Sequence, residues 1–93
     1  MAANLIFRVH ALRRMFERGI SAEDVGIVVT DGAAIEQYPD DLPYPSRLLL
    51  GWCGARPLHV VVADNVGDNT LIVITAYEPD AGQWSADFQR RKT

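Results

Sequence analysis

Apolar positions recur at two different periods along the chain, and the period changes near residue 32. From Phe7 to Arg18, the residues Val9, Leu12 and Phe16 follow the three- and four-residue spacing of a helix, with Met15 at the edge of the stripe. This spacing predicts a helix with Val9, Leu12 and Phe16 toward the core. Gly19 stands where helices commonly end in left-handed backbone. Ser21 opens a second helix, because its hydroxyl can cap free N–H groups and Glu23 and Asp24 favour the positive helix end. Val25, Val28 and Val29 give it an apolar face, and Asp31-Gly32 ends it.

Strand-like runs follow. Ala33–Tyr38 reads as an edge strand. The next stretch, 39–45, holds three prolines in seven residues and reads as a loop, since proline cannot feed a sheet ladder. Arg47–Cys53, Leu58–Ala63 and Thr70–Tyr77 read as three further strands, joined by turns at 54–57 and 64–69. Connections this short imply antiparallel pairing. Gln83–Arg91 reads as a short helix packing Trp84 and Phe88. The expected fold is α+β: two N-terminal helices on a three- to four-stranded antiparallel sheet with a short C-terminal helix, a single domain over residues 1–93.

Side chains alternate between sheet faces. With Ala55-Arg56 as the turn, Trp52 lies opposite His59 and Leu50 opposite Val61. With the next hairpin centred on Gly67, Thr75 lies opposite His59 and Tyr77 is its diagonal neighbour. One face then carries Leu48, Leu50, Trp52, His59, Val61, Thr75 and Tyr77. The other is almost purely apolar, with Val60, Val62, Ile72 and Ile74 as its core, and takes the helices.

Composition adds limits. At 93 residues with 48% hydrophobic content, the chain is expected to be one ordinary globular domain. No apolar run is long enough to span a membrane. The start lacks a basic segment followed by a long apolar stretch, so a cytoplasmic location without a membrane role is expected. The single Cys53 makes neither an internal disulfide nor a zinc site alone. The net charge of −3 argues against a generic nucleic-acid binder. Yet the arginines gather at the two ends, at 8, 13, 14 and 18 and at 90 and 91, while most acids lie between. If the ends meet, they make a basic patch on an acidic body.

The mixed sheet face is where chemistry is expected. His59 has an ordinary pKa near neutrality, about 6.5, and is a candidate acid or base. Tyr77 is a candidate to orient or donate. Arg56, Arg90 and Arg91 are candidate phosphate clamps, and Trp52 a ring on which an unpaired base stacks. His10 and Arg14, one helical turn apart, either bind phosphate or tie the first helix to Glu78 or Asp80. The plainer reading of His59 is a structural histidine with satisfied nitrogens, and of Tyr77 an anchor for the strand end. No ligand spacing suggests a metal, and no cofactor is expected.

The segments His10-Ala-x-x-Arg14-Met-x-x-Arg18-Gly-Ile20, Leu49-x-Gly51, Leu58-His-Val-Val61 and Thr75-x-Tyr-Glu-Pro-Asp80, then Trp84 and Phe88 with Arg90-Arg91, carry a resemblance. The chain resembles a family of small bacterial proteins of unknown function, often encoded beside a small zinc-finger protein, which is itself similar to RelE/MqsR-type toxins. The resemblance implies a RelE-like fold and a metal-independent endoribonuclease acting on mRNA, the toxin of a type II toxin–antitoxin pair. It also implies a cognate antitoxin, with a zinc-finger protein as the candidate. The alternative is a non-catalytic protein-binding module of the same fold. The apolar residues of the mixed face suggest an interface, which a homodimer would also cover.

Overall fold

The computed structural model describes residues 4–92. Its elements are β1 (Asn4–Phe7), α1 (Val9–Arg18), α2 (Ala22–Asp31), β2 (Ala33–Tyr38), β3 (Ser46–Cys53), β4 (Arg56–Asn65) and β5 (Thr70–Tyr77). The strands form one sheet in the order β1-β5-β4-β3-β2. The pairings from β2 to β5 are antiparallel, and β1 runs parallel to β5. α1 packs on β5, and α2 on β3 and β4.

Both helix boundaries have local causes. Gly19 adopts φ 64°, and the turn closes with Ile20 N–H donating to the Met15 carbonyl at 2.9 Å. At α2, the Ser21 hydroxyl accepts from Asp24 N–H and the Asp24 carboxylate accepts from Ser21 N–H, each at 3.0 Å. These bonds hold the Asp24 carboxyl below the usual carboxylate range. α2 lies tight on the sheet because β3 offers Gly51 there: a Cβ at that position would sit 2.9 Å from Val28 Cα. Ala11, Met15, Val25 and Val28 close the core against Leu58, Val60, Val62 and Val73.

The sheet is mixed and five-stranded, not antiparallel with three or four strands. The extra strand is β1, only four residues long, whose last residue, Phe7, the sequence spacing assigned to the first helix. Its parallel pairing needs a long connection, and all the chain from α1 to β4 supplies it. The C-terminal helix expected over Gln83–Arg91 is absent. Residues 80–92 form turns and bends with one isolated bridge, Trp84 to Arg91. Polar side chains there bond nearby backbone instead of leaving it to a helix. Asp80 accepts from Gly82 N–H at 2.8 Å, the Ser85 hydroxyl accepts from Arg90 N–H at 3.2 Å, and Phe88 sits at φ 60°. The expected arrangement, two helices on a three- to four-stranded antiparallel sheet with a short C-terminal helix, is therefore not the one this chain adopts.

Two further expectations change. α1 buries Ala11 and Met15 and turns Val9, Leu12 and Phe16 outward. In β5, Ile72 and Ile74 are only partly buried. A bulge pairs Val61 with Thr75 but Val62 with Val73, so Val73 takes the core position. Val60 and Val62 are fully buried, as the alternation predicts.

The rotated α1 has a measurable consequence. Met15→Ala should cost about 2–5 kcal/mol through lost burial and a cavity. Phe16→Ala, on the outward face, should change stability by no more than about 0.5 kcal/mol. Urea denaturation of both variants checks this, and the reverse order would restore the sequence-predicted face.

Candidate functional site

The side of the sheet away from the helices is half covered by residues 80–92, which fold back as a strap. Lys92 N–H donates to the Gln83 carbonyl and Ser85 N–H to the Arg90 carbonyl, both at 2.8 Å, and these bonds close the strap on itself. Trp84 is buried beneath it. The Arg91 guanidinium lies 4.7 Å above the Trp84 ring and pairs with Glu36 of β2 at 3.4 Å. Phe88 meets Trp52 edge-on at 5.9 Å between centroids.

His59 joins the sheet to the strap. It pairs directly with Tyr77 across β4 and β5, two residues from the expected register. Its hairpin with β3 is also shifted by two, since Leu50 lies opposite His59. A two-residue shift preserves the faces, so the mixed face has the predicted residues. The His59 ring is 0% exposed. Its Nε2 lies 2.9 Å from the Phe88 carbonyl oxygen and its Nδ1 3.3 Å from the Tyr77 hydroxyl. The carbonyl can only accept, so Nε2 carries the hydrogen and Nδ1 accepts from Tyr77. The Trp84 ring stands edge-on at 4.4 Å and the Tyr77 ring at 5.3 Å. Burial lowers the His59 pKa, with Arg91 adding to that, while the Phe88 carbonyl and Glu36 work the other way. Burial likewise raises the Tyr77 hydroxyl, against Arg91 and Arg18.

Beside this node opens a cleft of about 480 Å³ lined by Arg18, Arg56, Arg91, Tyr77, Glu78 and Asp80. Arg18 donates to the Ala76 carbonyl at 2.9 Å. Arg56 is the most committed: it donates to Glu78 at 3.1 Å and to the Arg18 and Gly19 carbonyls at 2.9 Å, so it also closes the C-terminal end of α1. Each guanidinium has five N–H donors, so Arg18 and Arg91 keep donors to spare. The cleft can hold an anion against fixed arginines, with a phenol at its wall.

Of the residues singled out by sequence, Arg56, Arg91 and Tyr77 line the cleft, and His59 lies behind it. Trp52 is 47% exposed against Phe88. Arg90 borders a separate groove with Ala33, Ala34 and Leu50. His10 and Arg14 lie on exposed α1 outside the cleft, where Arg14 pairs with Glu17 at 3.4 Å. The ends of the chain meet through Arg18 and Arg91, while the tie to Glu78 comes from Arg56. Arg18 and Trp84 were not anticipated here. Arg18 follows Ala11 by seven and Met15 by three, so it shares their buried face, a signal hidden by the choice of stripe.

A family model described as a domain of unknown function (DUF4258) matches residues 7–78. That span holds His59 and Tyr77 but stops before the strap. No curated protein and no solved structure matches the chain. Among the described residues, no helix is long and apolar enough to cross a membrane, and no group of three or more His, Cys, Asp or Glu side chains is placed to hold a metal ion.

A neutral, buried His59 ties stability to pH. With its folded pKa below the unfolded value, the unfolded chain binds the proton first. The stabilisation is full above about pH 6.5, the unfolded value, and is lost as pH falls through the folded pKa. Melting temperature should therefore decline between neutrality and about pH 5, before the carboxylates titrate. His59→Gln should melt lower throughout but lose most of that slope. An equal slope in the variant would assign the pH dependence elsewhere.

Proposed function

Because the chain belongs to the family described as a domain of unknown function (DUF4258), we propose its function from the cleft: an endoribonuclease acting on mRNA in the cytoplasm, the toxin of a toxin–antitoxin pair. The observation that carries this reading is the convergence of three arginines and the Tyr77 phenol on one open cleft, backed by His59. In this reading Arg18 and Arg91 grip a phosphodiester and stabilise the charge that grows on it. The neighbouring 2′-oxygen attacks phosphorus, and the bond to the 5′-oxygen breaks. The Tyr77 oxygen takes the 2′-hydroxyl proton as its own hydrogen passes to His59 Nδ1. Water protonates the leaving oxygen, leaving a cyclic phosphate. His59 thus acts through Tyr77, without touching substrate. Trp52 offers a ring for a flanking base, and Arg90 a contact along the strand. His10 and Arg14, outside the cleft, take no part. A small zinc-finger protein is the proposed antitoxin, with self-association as the other way of keeping the domain inactive.

A second reading has one observation in its favour. The outward residues of α1 form an apolar stripe of the kind that docks a protein. The domain is then a binding module without chemistry.

Cleavage of a labelled single-stranded RNA separates the two, alongside growth and RNA integrity on induced expression. Tyr77→Phe keeps the ring but removes the hydroxyl, so cleavage should fall by roughly 10²–10⁴-fold, and His59→Gln should fall comparably. Both variants should keep the folded circular-dichroism signal. Equal cleavage by wild type and Tyr77→Phe would remove Tyr77 from the chemistry. No cleavage by the wild type, ribosomes included, would leave the binding module.

A further inference from the structure

α1 is apolar on two sides, and the fold uses only one. Ala11 and Met15 face the core, whereas Val9 is 70%, Leu12 47% and Phe16 89% exposed. The three outward residues stand at positions i, i+3 and i+7, so they make one continuous stripe about 10 Å long. A nearly bare phenylalanine flanked by two aliphatic side chains is costly to leave in water, and this spacing is the one by which helices recognise each other face to face.

The charge around the stripe says what covers it. Arg8 and Arg13 flank the stripe, while Arg14 pairs with Glu17 and Arg18 turns to the cleft, so two guanidinium groups rim the apolar face on a protein of net charge −3. The N-terminal end of α1 is also positive and unanswered: its cap residue is Arg8, no side chain bonds the free N–H groups, and the first turn has no acid. A carboxylate from a partner would complement both features. A second copy of this chain would not. A twofold pairing of the stripes about Leu12 brings Arg13 against Arg13, a like-charge contact that disfavours the assembly.

We infer that the outward face of α1, centred on Val9, Leu12 and Phe16 and rimmed by Arg8 and Arg13, is the docking surface for an acidic amphipathic helix of another protein. The partner places apolar side chains on the stripe and carboxylates against the arginine rim and the open helix end. The surface uses no cleft residue, so the inference stands or falls apart from the RNA reading.

The test uses the full chain and a fluorescein-labelled helical peptide with leucines at heptad a and d positions and glutamates between them. Its control carries lysine for every glutamate. Fluorescence anisotropy should show saturable binding of the acidic peptide, weakening as salt rises, and none of the lysine peptide. Phe16→Glu and Leu12→Glu should each weaken binding at least tenfold while melting like the wild type, because both positions are exposed. Tyr77→Phe should bind unchanged. No binding of the acidic peptide, equal binding of both peptides, or full binding by Phe16→Glu would overturn the inference. So would sedimentation of the free protein as a dimer that Phe16→Glu dissociates, since a second copy would then own the face.

Discussion

A histidine with no exposure must satisfy both ring nitrogens from within the protein, and that demand organises this structure. The His59 Nε2–H reaches the Phe88 carbonyl, and Nδ1 takes the Tyr77 hydroxyl. The first bond draws the chain after β5 back across the sheet, where Trp84 lands against the imidazole edge. The strap in turn brings Arg91 to the side on which α1 ends with Arg18 and β4 begins with Arg56. The cleft is the gap left among these three. A buried unpaired polar group costs about 1–3 kcal/mol, so loosening the strap at Phe88 also penalises the core of the sheet.

The cleft and the outward face of α1 are separate sites with different physics. The cleft is small, polar and built from guanidinium groups already bonded to backbone or carboxylate, which fixes their positions before any ligand arrives. The α1 face is apolar with a basic rim and has no depth. One suits a compact anion such as a phosphate group, the other an elongated helical partner. Arg18 lies between them in sequence and belongs to the cleft side, because its place on the helix puts it with Ala11 and Met15.

Much of this was legible in the sequence. α2 was, because Ser21, Asp24 and the valines all indicate the same element. The faces of β3 and β4 were, because alternation survives a register shift of two. His59 and Tyr77 were recognised as neighbours for the same reason. What misled was ambiguity that tertiary packing resolves. Val9, Leu12 and Phe16 are more hydrophobic than Ala11 and Met15, yet it is the second pair that faces the core. Trp84 and Phe88 are four apart, as on a helix, but their rings are spent on His59 and Trp52 across an irregular strap. β1 is too short to announce itself, and its partner is the last strand in the chain. The bulge at Ile74 leaves no signature in a run of β-branched residues.

The central claim is that His59 is a neutral, fully engaged link between sheet and strap. Nitrogen-15 NMR of the imidazole tests it most directly, because the two ring nitrogens report separately which one carries hydrogen. The structure requires a neutral ring protonated at Nε2, with that hydrogen slow to exchange and the state unchanged from about pH 7 upward. A ring that is charged at neutral pH, that carries its hydrogen on Nδ1, or that exchanges as fast as a free imidazole would contradict the account.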